Sequence, residues 1–346
     1  MSTPEGSRIG IVTAGGDAPG LNAAIRAIGR SALDAGDVVV GVLNGWMGLL
    51  EPDGNRPLAA ADLSGILPLG GTILGSSRTL PLNDEESLHR LVEGVDRLAL
   101  DALITIGGDG TLALARRLSE LGVPIVGIPK TIDFDVSGTD VCIGFDSALS
   151  VVVEALDRLH TTAASHHNVM VLETMGRDTG WLAALGGLAG GADVVCLPEF
   201  PVSMDDVAER LLARRAAGKL SSIVIVAEGS PVGGIDEPPI PLDASGHPQM
   251  ARRAIGERVA AAIAEMTGFE TRATVLGHLQ RGGSPVATDR MWATRLGAAA
   301  LELAHEGTAT AVAVRSGAVV AATIQELTDA SQQVPRSLYE LCCQVG

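Results

Sequence analysis

Apolar runs of strand length recur along this chain, at residues 9–13, 38–43, 102–106, 125–128, 169–173 and 223–227, and each closes on glycine or a small polar residue. Between them lie stretches whose apolar side chains recur at helical spacing, at 23–35, 85–98, 111–121, 148–161, 204–216 and 251–266. βαβ units produce this alternation, because a strand covered on both faces is apolar throughout whereas a surface helix is apolar along one stripe. It predicts an α/β fold of doubly wound, largely parallel sheets with helices on both faces. In such sheets ligands lie beyond the carboxyl ends of the strands, so chemistry is expected in the residues that follow each strand.

The 346 residues exceed what one core of about 100–200 residues organises, which predicts two lobes with a cleft between them. Aromatic residues are only 2 % of the chain, so Ala, Val, Leu and Ile must fill the interior. A net charge of −16 gives no general attraction to nucleic acid or to an anionic membrane, both of which require a dense Lys/Arg face. A phosphorylated ligand would instead need locally placed arginines, helix N-termini or a metal ion. Cys142, Cys196, Cys342 and Cys343 form no CxxC motif, and the first residues carry no basic segment followed by an apolar one. Both features predict a cytoplasmic protein. Residues 231–249, rich in Pro, Gly and Asp, read as a loop, and the polar tail from Thr323 onward ends in a short helix.

The loop after the first strand, residues 13–20, places Gly15 and Gly16 ahead of a helix, where backbone N–H groups can approach an anion closely. An ordinary tight turn would look the same. Gly107, Gly108, Asp109, Gly110 and Thr111 repeat the design after the third run. A carboxylate beside a phosphate is repulsive unless a cation lies between them, so Asp109 implies Mg²⁺ if phosphate binds here. Taken alone, Asp109 reads equally as a helix N-cap. The next run ends in Lys130, Thr131, Asp133 and Asp135, a cation, a hydroxyl and two carboxylates in one loop. Phosphoryl transfer to an alcohol needs such a set: a base for the hydroxyl and donors for the transferred group. Met175, Gly176 and Arg177 follow the fifth run and Glu228 the sixth; Arg272, His278 and Arg281 lie near glycines, a composition suited to a sugar phosphate. No P-loop, dinucleotide fingerprint, HExxH or GxSxG motif occurs.

The ordered segments TAGGDAPGLNAAIR, GGTILGSSR, IGGDGTL, PKTIDFD, IGFDSAL, ETMGRDTGW, AEG and RATVLGHLQRGGSP resemble the bacterial 6-phosphofructokinase family from about residue 8 to residue 300. The resemblance implies a nucleotide-binding lobe over 1–144 plus about 280–328, and a sugar-phosphate lobe over 145–279 plus about 329–346. It also implies a homotetramer, with a dimer as the alternative. By correspondence, Gly15, Gly16, Gly108, Gly110, Thr111, Lys130 and Arg78 line the phosphates of ATP, Asp109 holds Mg²⁺, and Trp46 lies beside the adenine. Asp133 is the base, with Thr131, Asp135 and Arg177 assisting. Asn168, Met175, Gly176, Arg177, Glu228, His278 and Arg281 contact the sugar phosphate, and Arg272 reaches it from a neighbouring subunit.

Three departures from the family pattern bear on the reaction, the third at the donor site. Phe134 stands where the family usually has Asn, beside the catalytic carboxylate. Asn168 stands where an arginine usually crosses the subunit contact to the sugar's 6-phosphate; losing a charge-assisted bond costs about 1.5–3 kcal/mol. Gly110 admits ATP, whereas Lys130 is the residue common in pyrophosphate-dependent members. The implied reaction is ATP-dependent phosphorylation of the 1-hydroxyl of fructose 6-phosphate. Pyrophosphate as donor, another sugar as acceptor, and a non-catalytic sensor are the alternatives.

Overall fold

The computed structural model describes residues 6–77, 85–235, 239–241 and 250–346, apart from the side chain of Ala251. Arg78, and residues 236–238 and 242–249 of the expected loop, lie outside them. The chain forms two compact units, one of residues 1–147 and 281–331 and the other of 148–280 and 332–346.

In chain order the first unit contains β1 (Arg8–Thr13), α1 (Leu21–Ala35), β2 (Val38–Val42), β3 (Asn55–Pro57), α2 (Glu85–Arg97), β4 (Ala102–Gly107), α3 (Asp109–Glu120) and β5 (Ile125–Pro129). The first three residues of α4 (Phe145–His166) belong to it, and the rest of α4 to the second unit. That unit continues with β6 (Val169–Thr174), α5 (Trp181–Gly190), β7 (Val194–Cys196), β8 (Val202–Ser203), α6 (Met204–Ala216), β9 (Ser222–Ala227), β10 (Val232–Gly233), α7 (Ile255–Thr267) and β11 (Thr271–Val275). The chain then returns to the first unit through α8 (Ala287–His305), β12 (Thr310–Arg315), β13 (Ala318–Ala322) and α9 (Ile324–Thr328), and ends with α10 (Arg336–Val345) in the second.

The sheet of the first unit has the strand order β13-β12-β5-β4-β1-β2-β3, parallel from β2 to β12 and antiparallel at both edges. The order reverses between β1 and β4, and their carboxyl ends are the switch point at which open α/β sheets bind ligands. Alternation along each strand feeds two cores. Ile9, Ile11, Ile104 and Ile106 join the cluster packed with α1 and α8, while Val12, Val40 and Leu103 join the one containing Leu112 and Leu118 of α3. This is why the strands read as unbroken apolar runs rather than as alternating ones.

The main sheet of the second unit, β11-β6-β9-β7, is parallel throughout. Met170, Leu172, Ile223 and Ile225 enter one core and Val169, Val171, Val224 and Val226 the other. Several elements were not anticipated from sequence. α5 carries three glycines among its ten residues, and α8 buries a stripe of small residues, Ala293, Gly297, Ala300 and Ala304, with Leu296 and Leu301, while Met291 stays exposed outside it. Arg272, expected beside a glycine-rich loop, lies inside β11.

Candidate active site

The loops after β1, β4 and β5 converge. Gly15 (φ 83°) has the space of its missing Cβ 3.2 Å from Thr111 Oγ1 and 3.9 Å from Lys130 Nζ, so a side chain there would crowd Thr111 and touch Lys130. Ala14 N–H donates to Ile106 O at 3.2 Å, Lys130 N–H to Gly107 O at 2.9 Å, and Lys130 Nζ to Gly16 O at 2.5 Å. Gly108, rather than Asp109, caps α3, and no side chain accepts from the first turn. The turn formed by Asp109, Gly110 and Thr111 therefore offers backbone N–H groups and the positive end of the helix dipole to an anion. Asp109 and Gly110 are exposed and Thr111 is buried.

In the β5 loop, Lys130, Thr131 and Asp133 are buried. Thr131 Oγ1 accepts the Asp133 N–H at 3.1 Å, which bends the loop back on itself. Phe134 follows with φ 55°, a left-handed conformation uncommon for a bulky side chain. Burial first, and then the neighbouring Asp133, push the Asp135 carboxyl up to about 6. Burial, reinforced by Arg281 and opposed by Asp133, Asp17 and Asp135, pulls the Lys130 ammonium down to about 8. Arg281, from the segment before α8, places Nη2 4.0 Å from Asp133 Oδ2 and donates from Nη1 to Asp17 O at 3.1 Å. Its Nε is buried with no hydrogen-bond partner. The structure thus groups Gly15, Gly16, Gly108, Asp109, Gly110, Thr111, Lys130, Thr131, Asp133, Asp135 and Arg281 within the first unit.

Trp46 departs from expectation. It has no exposed surface and sits in the core with Leu49, Leu91 and Leu112, because the short helical turn Gly45–Leu49 directs it inward. It shapes the loop rather than offering a face to a base.

In the second unit, Glu228 Oε1 accepts the Arg177 N–H at 3.2 Å, and Arg177 is held at φ 53° after Gly176 at φ 143°. Met175 N–H approaches the Gln280 side-chain oxygen at 3.4 Å. Asn168 precedes β6, 4 % exposed, with Oδ1 buried and unbonded. Arg272 is exposed and paired with Glu270 at 2.8 Å, and His278 is exposed. Met175, Gly176, Arg177 and Glu228 are therefore gathered at the ends of β6 and β9, whereas Asn168 lies at the opposite, amino end of β6. Sequence reading assigned no role to Arg253, which is 4 % exposed and donates to Glu228 O at 2.8 Å, nor to Gln280. Gln280 lies inside the segment RATVLGHLQRGGSP, where a signal existed; Arg253 follows a polar loop and carries no local signal.

Glycine-flanked strand ends, an uncapped helix start and paired carboxylates beside a buried lysine and arginine define a phosphotransferase of the α/β class. The phosphofructokinase family model matches residues 8–304. The chain is 46 % identical to the ATP-dependent 6-phosphofructokinase of Chloroflexus aggregans over 345 residues, covering 97 % of this chain and 95 % of the relative. It is 45 % identical to the pyrophosphate–fructose 6-phosphate 1-phosphotransferase of Dictyoglomus thermophilum, covering 96 % of each. Among solved structures, the T-state phosphofructokinase of Pichia pastoris superposes with a TM-score of 0.83 at 33 % identity, covering 94 % of this chain and 36 % of that one. The chain belongs to the phosphofructokinase family. It is a phosphotransferase with an alcohol acceptor.

Proposed function

We propose that this enzyme transfers the γ-phosphoryl group of ATP, as its Mg²⁺ complex, to the 1-hydroxyl of fructose 6-phosphate. The observation that supports the reading is the meeting of the β1, β4 and β5 loops, which brings Gly15 to Thr111 at the start of α3 and to Lys130 in the loop that carries the buried Asp133. Asp133 takes the hydroxyl proton as the oxygen attacks the γ-phosphorus, and ADP leaves. Arg281 stands 4.0 Å from Asp133 and presents its remaining N–H groups to phosphate.

Among the described residues no cluster of three or more His, Cys, Asp and Glu holds a metal ion by itself. One exposed carboxylate at a phosphate site suits Mg²⁺, which is usually held by one or two carboxylates, substrate phosphates and water. Asp109 is that carboxylate, and the ion would screen the donor's phosphates. Arg177, Glu228, Met175, Gly176, His278, Arg281 and Arg272 are assigned to the acceptor by family correspondence, Arg272 from a neighbouring copy of the chain. A cytoplasmic homotetramer, or a dimer, is part of the same reading. No helix among the described residues is long and apolar enough to cross a membrane.

Two observations favour variants of this reaction. Lys130 Nζ reaches into the β1 turn, where an ammonium suits pyrophosphate. The short, buried Asn168 suits an acceptor lacking a phosphate there. A matrix of ATP and pyrophosphate against fructose 6-phosphate and other sugars tests all three, with turnover of ATP and fructose 6-phosphate as the expected result. No turnover of fructose 6-phosphate with either donor refutes the assignment.

A further inference from the structure

The turn that joins Asp133 to Asp135 holds Phe134 in the left-handed region at φ 55°. Glycine and asparagine enter that region readily, whereas a bulky side chain persists there only when its surroundings compensate. One contact of this side chain is aromatic. The Phe134 ring lies 4.6 Å from that of Phe145, centroid to centroid, tilted by 33°, and packs against the core cluster that contains Leu112 and Val136.

Phe145 is 4 % exposed and opens α4. The start of that helix is held in turn by Asp289 in the first turn of α8. Asp289 Oδ1 accepts the Gly144 N–H at 2.8 Å, and Oδ2 accepts the Ser147 N–H at 2.8 Å and the Ser147 hydroxyl at 2.5 Å. Ser147 Oγ accepts the Val286 N–H at 3.0 Å, which closes the connection back to α8. A buried carboxylate, a helix end and two rings thus form a continuous support running from α8 to the Asp133 turn.

We infer that Phe134 is a positioning residue: its ring, seated on Phe145, holds the Asp133–Asp135 turn in the conformation that presents Asp133, and Asp289 fixes the helix end that carries Phe145. The inference rests on the reading of Asp133 as the base. Rigid lateral support of this kind keeps a catalytic group within the narrow range of positions from which it acts, and small misplacements lower turnover steeply.

The test uses the full chain with Phe134→Gly, which suits the backbone but deletes the ring, Phe134→Tyr, Phe145→Leu and Asp133→Ser. kcat and KM for fructose 6-phosphate are measured at a temperature where circular dichroism shows every variant folded. Phe134→Gly and Phe145→Leu should lower kcat by about tenfold or more with KM changed less than about threefold, and Phe134→Tyr should retain kcat within about threefold. Wild-type kcat in both ring-deleting variants, or equal losses in the glycine and tyrosine variants, overturns the inference. An inactive Asp133→Ser beside an unimpaired Phe134→Gly removes the positioning role alone; an active Asp133→Ser removes the base reading, and the inference with it.

Discussion

Arg281 Nη2 stands 4.0 Å from Asp133 Oδ2, with both side chains only 8 % exposed, and the same guanidinium donates to Asp17 O in the β1 loop. One cation therefore faces the proposed base and joins two of the three converging loops. Asp133→Ser should lower kcat by about 10²–10⁴-fold, the usual worth of a positioned base, with KM for fructose 6-phosphate little changed. Arg281→Met should lower kcat and raise KM together, because it removes a proposed phosphate donor and the guanidinium that faces Asp133. Steady-state kinetics on the two variants check both outcomes, and near-normal kcat in Asp133→Ser would remove it from the mechanism.

Donor choice is expected to depend on Gly110 and Lys130. Gly110→Asp adds a carboxylate next to Asp109 at the start of α3, which repels the longer phosphate chain of ATP and leaves room for pyrophosphate. kcat/KM for ATP should fall more than kcat/KM for pyrophosphate. Because the Lys130 ammonium is pulled down to about 8, its charge is lost as pH rises through that value. A wild-type profile of kcat/KM for the donor should therefore decline above about pH 8, and Lys130→Met should abolish that limb. A flat wild-type profile across this range contradicts a phosphate contact by Lys130.

Asp135 should hold the fold below its full stability at neutral pH. Its folded-state pKa, about 6, lies above the ordinary value of 3.8, so the folded chain binds the proton more tightly than the unfolded one. Stability from this group is complete below about pH 4 and is lost as pH rises through about 6. Asp135→Asn, which cannot ionise, should raise Tm at pH 8 relative to wild type, give little difference at pH 4, and reduce kcat. Thermal unfolding at the two pH values decides this, since an equal shift at both would place the effect outside the ionisation.

Asn168→Arg introduces a long cation at a position that is 4 % exposed. With fructose 6-phosphate as the acceptor, KM should fall about tenfold, equivalent to about 1.4 kcal/mol, while Tm drops because a charge enters a buried site. An increased KM would point to an acceptor without that phosphate.

The glycine-, aspartate- and lysine-bearing turns after the strands were legible because backbone freedom and charge follow from residue type alone. The unbroken apolar runs likewise announced strands covered on both faces. Trp46 was misread because its identity is the same whether it faces a ligand or a core, and only the turn at Gly45–Leu49 sends it inward. α8 was missed since its buried stripe is built largely of alanine and glycine and contains Asp289, while Met291 lies exposed outside it, so the 3.6-residue pattern is faint in the residue types.

By itself, then, the sequence determined the βαβ succession, the glycine- and aspartate-bearing turns after the strands and the family to which the chain belongs. These follow from local periodicity and from residue types at short spacing. Only the tertiary structure decided that Gly15 meets Thr111 and Lys130, that Arg281 faces Asp133 across nearly 150 residues of chain, and that Asp289 caps α4 from α8. Those contacts depend on which strand ends lie side by side once the order reverses between β1 and β4. Strand order is set by the packing of the whole sheet, and no short window of sequence contains it.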